Sequence, residues 1–316
     1  MRAAACHRAV LLRSPLQARR LSAAAAGAPP PPSQQPLLLP STEALYAGPP
    51  GQPCVGPYAS HRAALDYGWH GRYTAARQLL QDGLIARALA PPRAPPPPPP
   101  GVRPWLVHTA GAMGAGKSHA LRCLAAAGAF PLACFVCIDP DEIKGALPEA
   151  RAFVAAHRAS AGTRLHKESL LVADVLTRAA MAQGRNVLVD GSMRNTRWHA
   201  AEWARLKATA PHYRVAVLLV TAPAGVVHAR AARRAAHTGR EIPTDVIDDS
   251  IARAPESFAA LRPLADFAAV IDSGGAEPRV LPPDTLESFQ GVWGLQGCGA
   301  LREASSGSLL AAQQLA

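Results

Sequence analysis

The chain has 316 residues, 33 Lys+Arg against 22 Asp+Glu and a formal net charge of +11, with 49% hydrophobic and 5% aromatic residues. That size holds one ordinary domain with flanking material, or two small domains, and the apolar content allows a sizeable core. No apolar run approaches the roughly 18 residues of a membrane span, and no Lys/Arg run interleaved with aromatics supplies a single-strand nucleic-acid face.

The positive charge is concentrated early. Arg2, Arg8, Arg13, Arg19 and Arg20 all precede the first acid, Glu43. Residues 1–26 are rich in Arg, Ala, Leu and Ser, which suits an organelle transit peptide; a disordered, compositionally biased N-terminus is the plain alternative. The expectation is a leader over 1–35 directing the chain to mitochondrion or plastid, or otherwise a cytoplasmic protein. Two proline-rich blocks, "APPPPSQQP" and "APPRAPPPPPPG", read as extended spacers. Between them "YTAARQLLQDGLIARALA" (73–90) has helical spacing, so 36–100 reads as a Pro-rich linker with an outlying accessory helix.

From Gly101 short apolar runs alternate with alanine-rich helical stretches. Five runs read as strands: "WLVHTA" (105–110), "CFVCID" (134–139), "NVLVD" (186–190), "RVAVLLVT" (214–221) and "FAAVID" (267–272). Their near-continuous apolar character implies burial on both faces, hence a doubly wound α/β fold with a mainly parallel, five-stranded sheet. Ligands then bind at the carboxyl ends of the strands. The domain is expected over 101–275, with a weakly ordered tail over 276–316. Cys134 and Cys137 form a CxxC inside a strand-like run, without the second pair that a zinc site needs; buried free thiols are expected.

The first strand runs into "HTAGAMGAGKSHALR" (108–122), which has the spacing G-x-x-x-x-G-K-S. Only four of the basic residues in the chain are lysines, and one, Lys117, stands here. The strand–loop–helix context is that of a P-loop. Gly111, Ala112, Met113, Gly114, Ala115 and Gly116, with Lys117, Ser118 and His119, would wrap the phosphates of ATP, while the Ser118 hydroxyl would ligate Mg²⁺. The second strand ends "CIDPDEIKGALPEA", with Asp139 and Asp141 two apart. These acids can face an acceptor hydroxyl or Mg²⁺, or simply cap the next helix.

In "TRLHKESLLVADVLTRAAMAQG", Leu171, Val172, Val175, Leu176, Ala179 and Ala180 form a helical stripe that includes Glu168. A buried acid needs a partner or a task, and Glu168 is expected to face the site, with His166 near it or in solvent. The third strand ends "VLVDGSMRN", offering Asp190, Ser192 and Arg194 to a polar acceptor, with Asn195 as a helix cap. "HARAARRAAHTGREIP" carries Arg230, Arg233, Arg234 and Arg240. Arginines over the phosphates would neutralise transferring charge; a solvated helix face is the alternative.

"GAMGAGKS", "IDPDEIKGALPE", "HKESLLVADVL", "VLVDGSMRN" and "HTGREIP" occur in the order found in zeta-toxin-like P-loop kinases, and over about 101–272 the chain resembles that family. Bacterial members phosphorylate UDP-N-acetylglucosamine with ATP and Mg²⁺. The resemblance implies phosphate and metal roles for Lys117 and Ser118, with Asp141 as general base. It also implies that Asp190, Ser192 and Arg194 contact the acceptor, and that Arg240 with Arg233 or Arg234 grips ATP. Where bacterial toxins often carry Glu-Gly-Thr, this chain has Asp190-Gly191-Ser192. The expected activity is an ATP-dependent kinase acting on a hydroxyl of a small acceptor. Without a concentrated basic groove a polynucleotide end kinase is the weaker reading, beside a nucleotide-dependent switch module.

Overall fold

The computed structural model describes residues 40–293 apart from 157, 159, 239 and 240. The expected leader, the last part of the expected tail and Arg240 therefore lie outside the described residues. Helices α1 (Thr42–Leu45), α2 (Ala59–Ala63) and α3 (Ala75–Leu89) precede β1 (Trp105–Ala110). Then come α4 (Lys117–Ala126), β2 (Phe135–Ile138), α5 (Pro140–Ala146), α6 (Ala150–Ala156), α7 (Ala161–Arg164), α8 (His166–Ala182) and β3 (Asn186–Val189). The order continues through α9 (Thr196–Thr209), β4 (Arg214–Thr221), α10 (Ala224–Thr238), α11 (Thr244–Leu261), β5 (Phe267–Asp272), β6 (Arg279–Val280) and α12 (Leu286–Val292).

The sheet order is β2-β3-β1-β4-β5-β6. β1 to β5 run parallel, with Leu106 opposite both Val187 and Val215. The two-residue β6 adds an antiparallel edge that hydrophobic pattern alone does not reveal. Alternation along each strand divides the core. Leu106, Val187, Val215 and Val217 pack toward α3, α8, α9 and α11. Trp105, Val107, Ala216 and Leu218 pack toward α4 and α12. All six apolar residues predicted for the α8 stripe are buried. Local chemistry starts the helices where expected: Asn195 accepts the Trp198 N–H at the head of α9, and Thr74 accepts the Arg77 N–H at the head of α3.

Three expectations change. Residues 40–100 are not a spacer with an outlying helix. Leu65, Tyr73, Leu84, Ile85, Leu89 and Ala94 belong to the same buried cluster as the sheet face, because α3 lies along α8 and buries its polar side chains there as well. The stretch after 276 is ordered as far as Trp293: Phe289 and Trp293 are buried, and Trp293 meets Trp105 edge-on at 5.3 Å and Phe130 at 4.9 Å. The CxxC is not two buried thiols, since Cys134 is buried and disulfide-bonded whereas Cys137 is an exposed free thiol on the edge strand. Among the described residues no helix is long and apolar enough to cross a membrane.

Two imidazoles sit between the sheet and α9. His108 on β1 and His199 on α9 meet edge-on at 5.2 Å, against Trp203. Burial holds His108 well below its ordinary range, helped by the charge that His199 would carry. Burial likewise drops His199 from 6.5 to about 4, against the opposing pull of Glu202. The unfolded chain takes up protons that these rings refuse, so stability is full above pH 6.5 and is lost as pH falls toward about 4. Urea unfolding of the wild type is expected to weaken over that interval and His199→Phe to flatten the slope; identical slopes would contradict the assignment.

Candidate active site

The first wall of the site is the loop between β1 and α4. Its glycines take backbone conformations closed to other residues: Gly114 has φ 97° and Gly116 φ 90°. A Cβ on Gly114 would stand 2.5 Å from the Val227 carbonyl oxygen of α10, and one on Gly116 would stand 2.7 Å from the Ser273 hydroxyl. The loop is therefore pressed against α10 and the end of β5. Ala112, Ala115, Val227, Ala231 and Ile247 bury together at this contact. Arg230 fixes the same junction, donating to the Ala115 carbonyl at 3.4 Å and to the Ser273 hydroxyl and carbonyl at 3.1 and 2.8 Å.

Lys117 is the first residue of α4. Its ammonium donates to the Gly111 and Ala112 carbonyls at 3.2 and 3.3 Å and stands 3.9 Å from Asp190. Asp190 follows β3, the neighbour of β1, so the two carboxyl ends converge. The Thr109 hydroxyl donates to Asp190 Oδ1 at 2.6 Å and accepts the Gly191 N–H at 3.0 Å, while the Ser118 hydroxyl donates to Asp190 Oδ2 at 3.1 Å. Thr109, itself fully buried, is thus the side chain that aims Asp190 toward the loop.

The second wall follows β2. Asp139 accepts the Asp141 N–H at 2.7 Å and so caps α5, with Pro140 at the first helical position. Capping and site roles coexist here, because the cap turns Asp141 into the cleft. Asp141 receives Lys144 at 3.0 Å and Arg234 at 3.3 Å on its two oxygens. Burial raises the Asp139 pKa and the charge of Asp190 raises it further, against the lowering effect of the Asp141 N–H.

A cleft of about 300 Å³ joins these walls. It brings together Met113, Gly114, Lys117, Ser118, Asp139, Asp141, Asp190, Ser192, Arg194 and Arg234 from the sequence reading. His166 and Leu170 of α8 and Lys144 also line it. Arg194 donates to Asp249 of α11 at 3.3 Å.

Other expectations separate from the cleft. Glu168 does not face it: the side chain is 0% exposed and carries Arg77 at 2.6 Å. The buried acid had a partner rather than a task in the cleft. His119 is exposed on α4, 3.6 Å from the Cys123 sulfur, and Arg233 is exposed on α10. Arg230 reaches the loop and Ser273, and Arg234, though itself exposed, reaches Asp141 and the cleft, whereas Arg233 does not line the cleft. Thr109, Lys144 and Ser273 were missed. Thr109 and Ser273 could have been found as hydroxyls at the carboxyl ends of predicted strands.

The zeta toxin family model matches residues 94–276. No curated protein matches the chain. Among solved structures, a chain of the PezAT chromosomal toxin–antitoxin system of Streptococcus pneumoniae is similar with TM-score 0.54 and 14% identity, covering 73% of this chain and 93% of that one. A chain of the AvrRxo1-ORF1–ORF2 assembly crystallised with ATP is similar with TM-score 0.51 and 15% identity, covering 82% of this chain and 83% of that one. At such identities the likeness to these structures is one of fold. The family match spans more than half of the chain, which therefore belongs to the zeta toxin family and has the fold of P-loop phosphotransferases.

Proposed function

We propose that the chain is an ATP-dependent kinase that transfers the γ-phosphoryl group to a hydroxyl of a small acceptor, with UDP-N-acetylglucosamine as the first acceptor to test. The observation that carries this reading is the shared cleft: Lys117 and Ser118 of the glycine loop and the Asp141 carboxylate line one cavity. The AvrRxo1 assembly crystallised with ATP has the same fold, which supports ATP as the donor.

The residues present fit a magnesium ion. Ser118 Oγ and Asp190 Oδ2, hard oxygen donors 3.1 Å apart, would hold Mg²⁺ beside the glycine loop. Asp190 therefore takes a metal role here in place of the acceptor contact suggested by resemblance. When bound, the ion would neutralise charge on the β- and γ-phosphate oxygens. Lys117, now held by loop carbonyls, turns to those oxygens. Asp141 accepts the acceptor proton as the hydroxyl oxygen bonds to phosphorus and the bond to ADP breaks. Arg234 is within reach of both Asp141 and the cleft, so it can exchange the carboxylate for a phosphate. Ser192 and Arg194 face the acceptor end. Arg240 keeps its phosphate role by family resemblance.

Three outcomes follow for labelled-ATP assays with a panel of sugars and nucleotides. Lys117→Ala lowers turnover by at least about a hundredfold with an unchanged circular dichroism spectrum, and wild-type turnover in that variant removes the clamp. Asp141→Asn loses about 10²- to 10⁴-fold of transfer while still binding Mg·ATP; normal transfer would exclude it as base. Thr109→Val frees Asp190 from its aiming hydroxyl and raises the Mg²⁺ concentration for half-maximal rate, whereas an unchanged Mg²⁺ requirement argues against the Asp190–Ser118 pair.

A further inference from the structure

We infer that Arg77, from the segment that precedes the family-matched region, is a positioning residue for the proposed reaction. It locks together the two elements that form the Asp141 side of the cleft. The inference rests on the kinase reading above for its catalytic consequence, but its geometry stands alone.

Arg77 lies on α3, with its side chain 3% exposed. Its Nε and Nη2 donate to the two oxygens of Glu168 at 2.6 and 2.9 Å. Its Nη1 and Nη2 donate to the two oxygens of Glu149 at 2.8 Å each. One planar guanidinium thus makes two bidentate pairs, a geometry that an ammonium cannot copy. Its carbon stands 3.9 Å from the centre of the Tyr46 ring, and the Tyr46 hydroxyl also bonds Glu149. Gln81, one turn further along α3, donates to Glu168 at 2.9 Å. Burial opposes the charge on Arg77, yet the two carboxylates outweigh it and push its pKa up.

The two acids belong to the two halves of one wall. Glu149 stands between α5, which carries Asp141 and Lys144, and α6. Glu168 is in the first turn of α8, between His166 and Leu170, which both line the cleft. Asp141 therefore rests on the packed pair α5 and α8, which Arg77 ties from behind, while a link toward the loop side comes from the exposed Arg234. The family match begins at residue 94, so the tie comes from outside it. Removing the guanidinium leaves two acids facing each other in a buried site. The wall then loosens, while the loop around Lys117, anchored by Val227, Arg230 and Ser273, stays in place. A displacement of about 1 Å at a reacting group costs on the order of a hundredfold in rate.

The test uses the full chain as wild type, Arg77→Met, Arg77→Lys, Asp141→Asn and the double variant Arg77→Met/Asp141→Asn. Calorimetry with Mg·ATP is expected to show one site per chain with affinity within about twofold of wild type. Phosphotransfer from Mg·ATP, with water or UDP-N-acetylglucosamine as acceptor, falls about ten- to a hundredfold in Arg77→Met and is partly restored in Arg77→Lys. In the Asp141→Asn background the same substitution causes no further loss, since it acts through that carboxylate. Wild-type turnover in Arg77→Met, losses that multiply in the double variant, or a reduced fraction of ATP-binding chains would each overturn the inference. Should Arg77→Met not fold, the neutral triple variant Arg77→Met/Glu149→Gln/Glu168→Gln takes its place, with the same expected loss. Hydrogen exchange separates this inference from the kinase reading. Faster exchange over 140–156 and 166–170 with unchanged exchange over 105–126 supports the tie even if Asp141→Asn proves fully active, and the absence of that local change refutes it.

Discussion

Five parallel strands place all of their carboxyl ends on one edge of the sheet, and everything at the cleft depends on that direction. The order β2-β3-β1 makes the exits from three strands neighbours. The glycine loop leaves β1, Asp190 leaves β3, and Asp139 and Asp141 leave β2. Three carboxylates brought so close would repel one another without compensation. Lys117 beside Asp190, and Lys144 and Arg234 on Asp141, supply it. In the proposed reading a triphosphate with its metal would redistribute the same charges, Lys117 and Arg234 pairing with phosphate and Asp190 with the metal. On that reading this balance of cations and carboxylates suits a ligand that brings charge of both signs.

Two supports outside the sheet give this edge its rigidity. On one side α10 is rooted on the loop itself through Val227, Ala231 and Arg230. On the other, α5 and α8 are held from the N-terminal segment through Arg77. Buried ion pairs cost desolvation, and apolar replacements often serve stability as well or better. Two polar contacts do cross from this segment to α8, the His70 Nε2 to Asp174 hydrogen bond and the Arg77–Glu168 pair, and they fit a segment whose register on α8 is specified as well as stabilised.

Much of this was legible in the residues. Continuous apolar runs marked the five parallel strands because strands covered on both faces have no polar side to show. The G-x-x-x-x-G-K-S spacing marked the loop because few backbones curl around phosphates without those glycines. What could not be read was pairing across distance. Pattern alone showed that Glu168 lay on a buried stripe and needed a partner; that the partner is Arg77, 91 positions away, follows only from the fold. For the same reason the segment before residue 94 read as a spacer, since its prolines are local signals and its contacts are not. Thr109 stood at the carboxyl end of a strand run, but that its hydroxyl binds Asp190, 81 positions away, follows only from the fold. Trp293 stood beyond a break in the pattern that only its aromatic partners close.

In the proposed reading the triphosphate tail, held by loop amides, Lys117 and the Ser118–Asp190 pair, carries the binding of ATP. Competition for ATP on the wild-type chain tests it most directly. Magnesium tripolyphosphate is predicted to displace labelled ATP at concentrations within about tenfold of those for ATP itself, while adenosine displaces little. Displacement by adenosine but not by tripolyphosphate, or no measurable uptake of ATP with magnesium present, would rule out a phosphate-anchored ATP site.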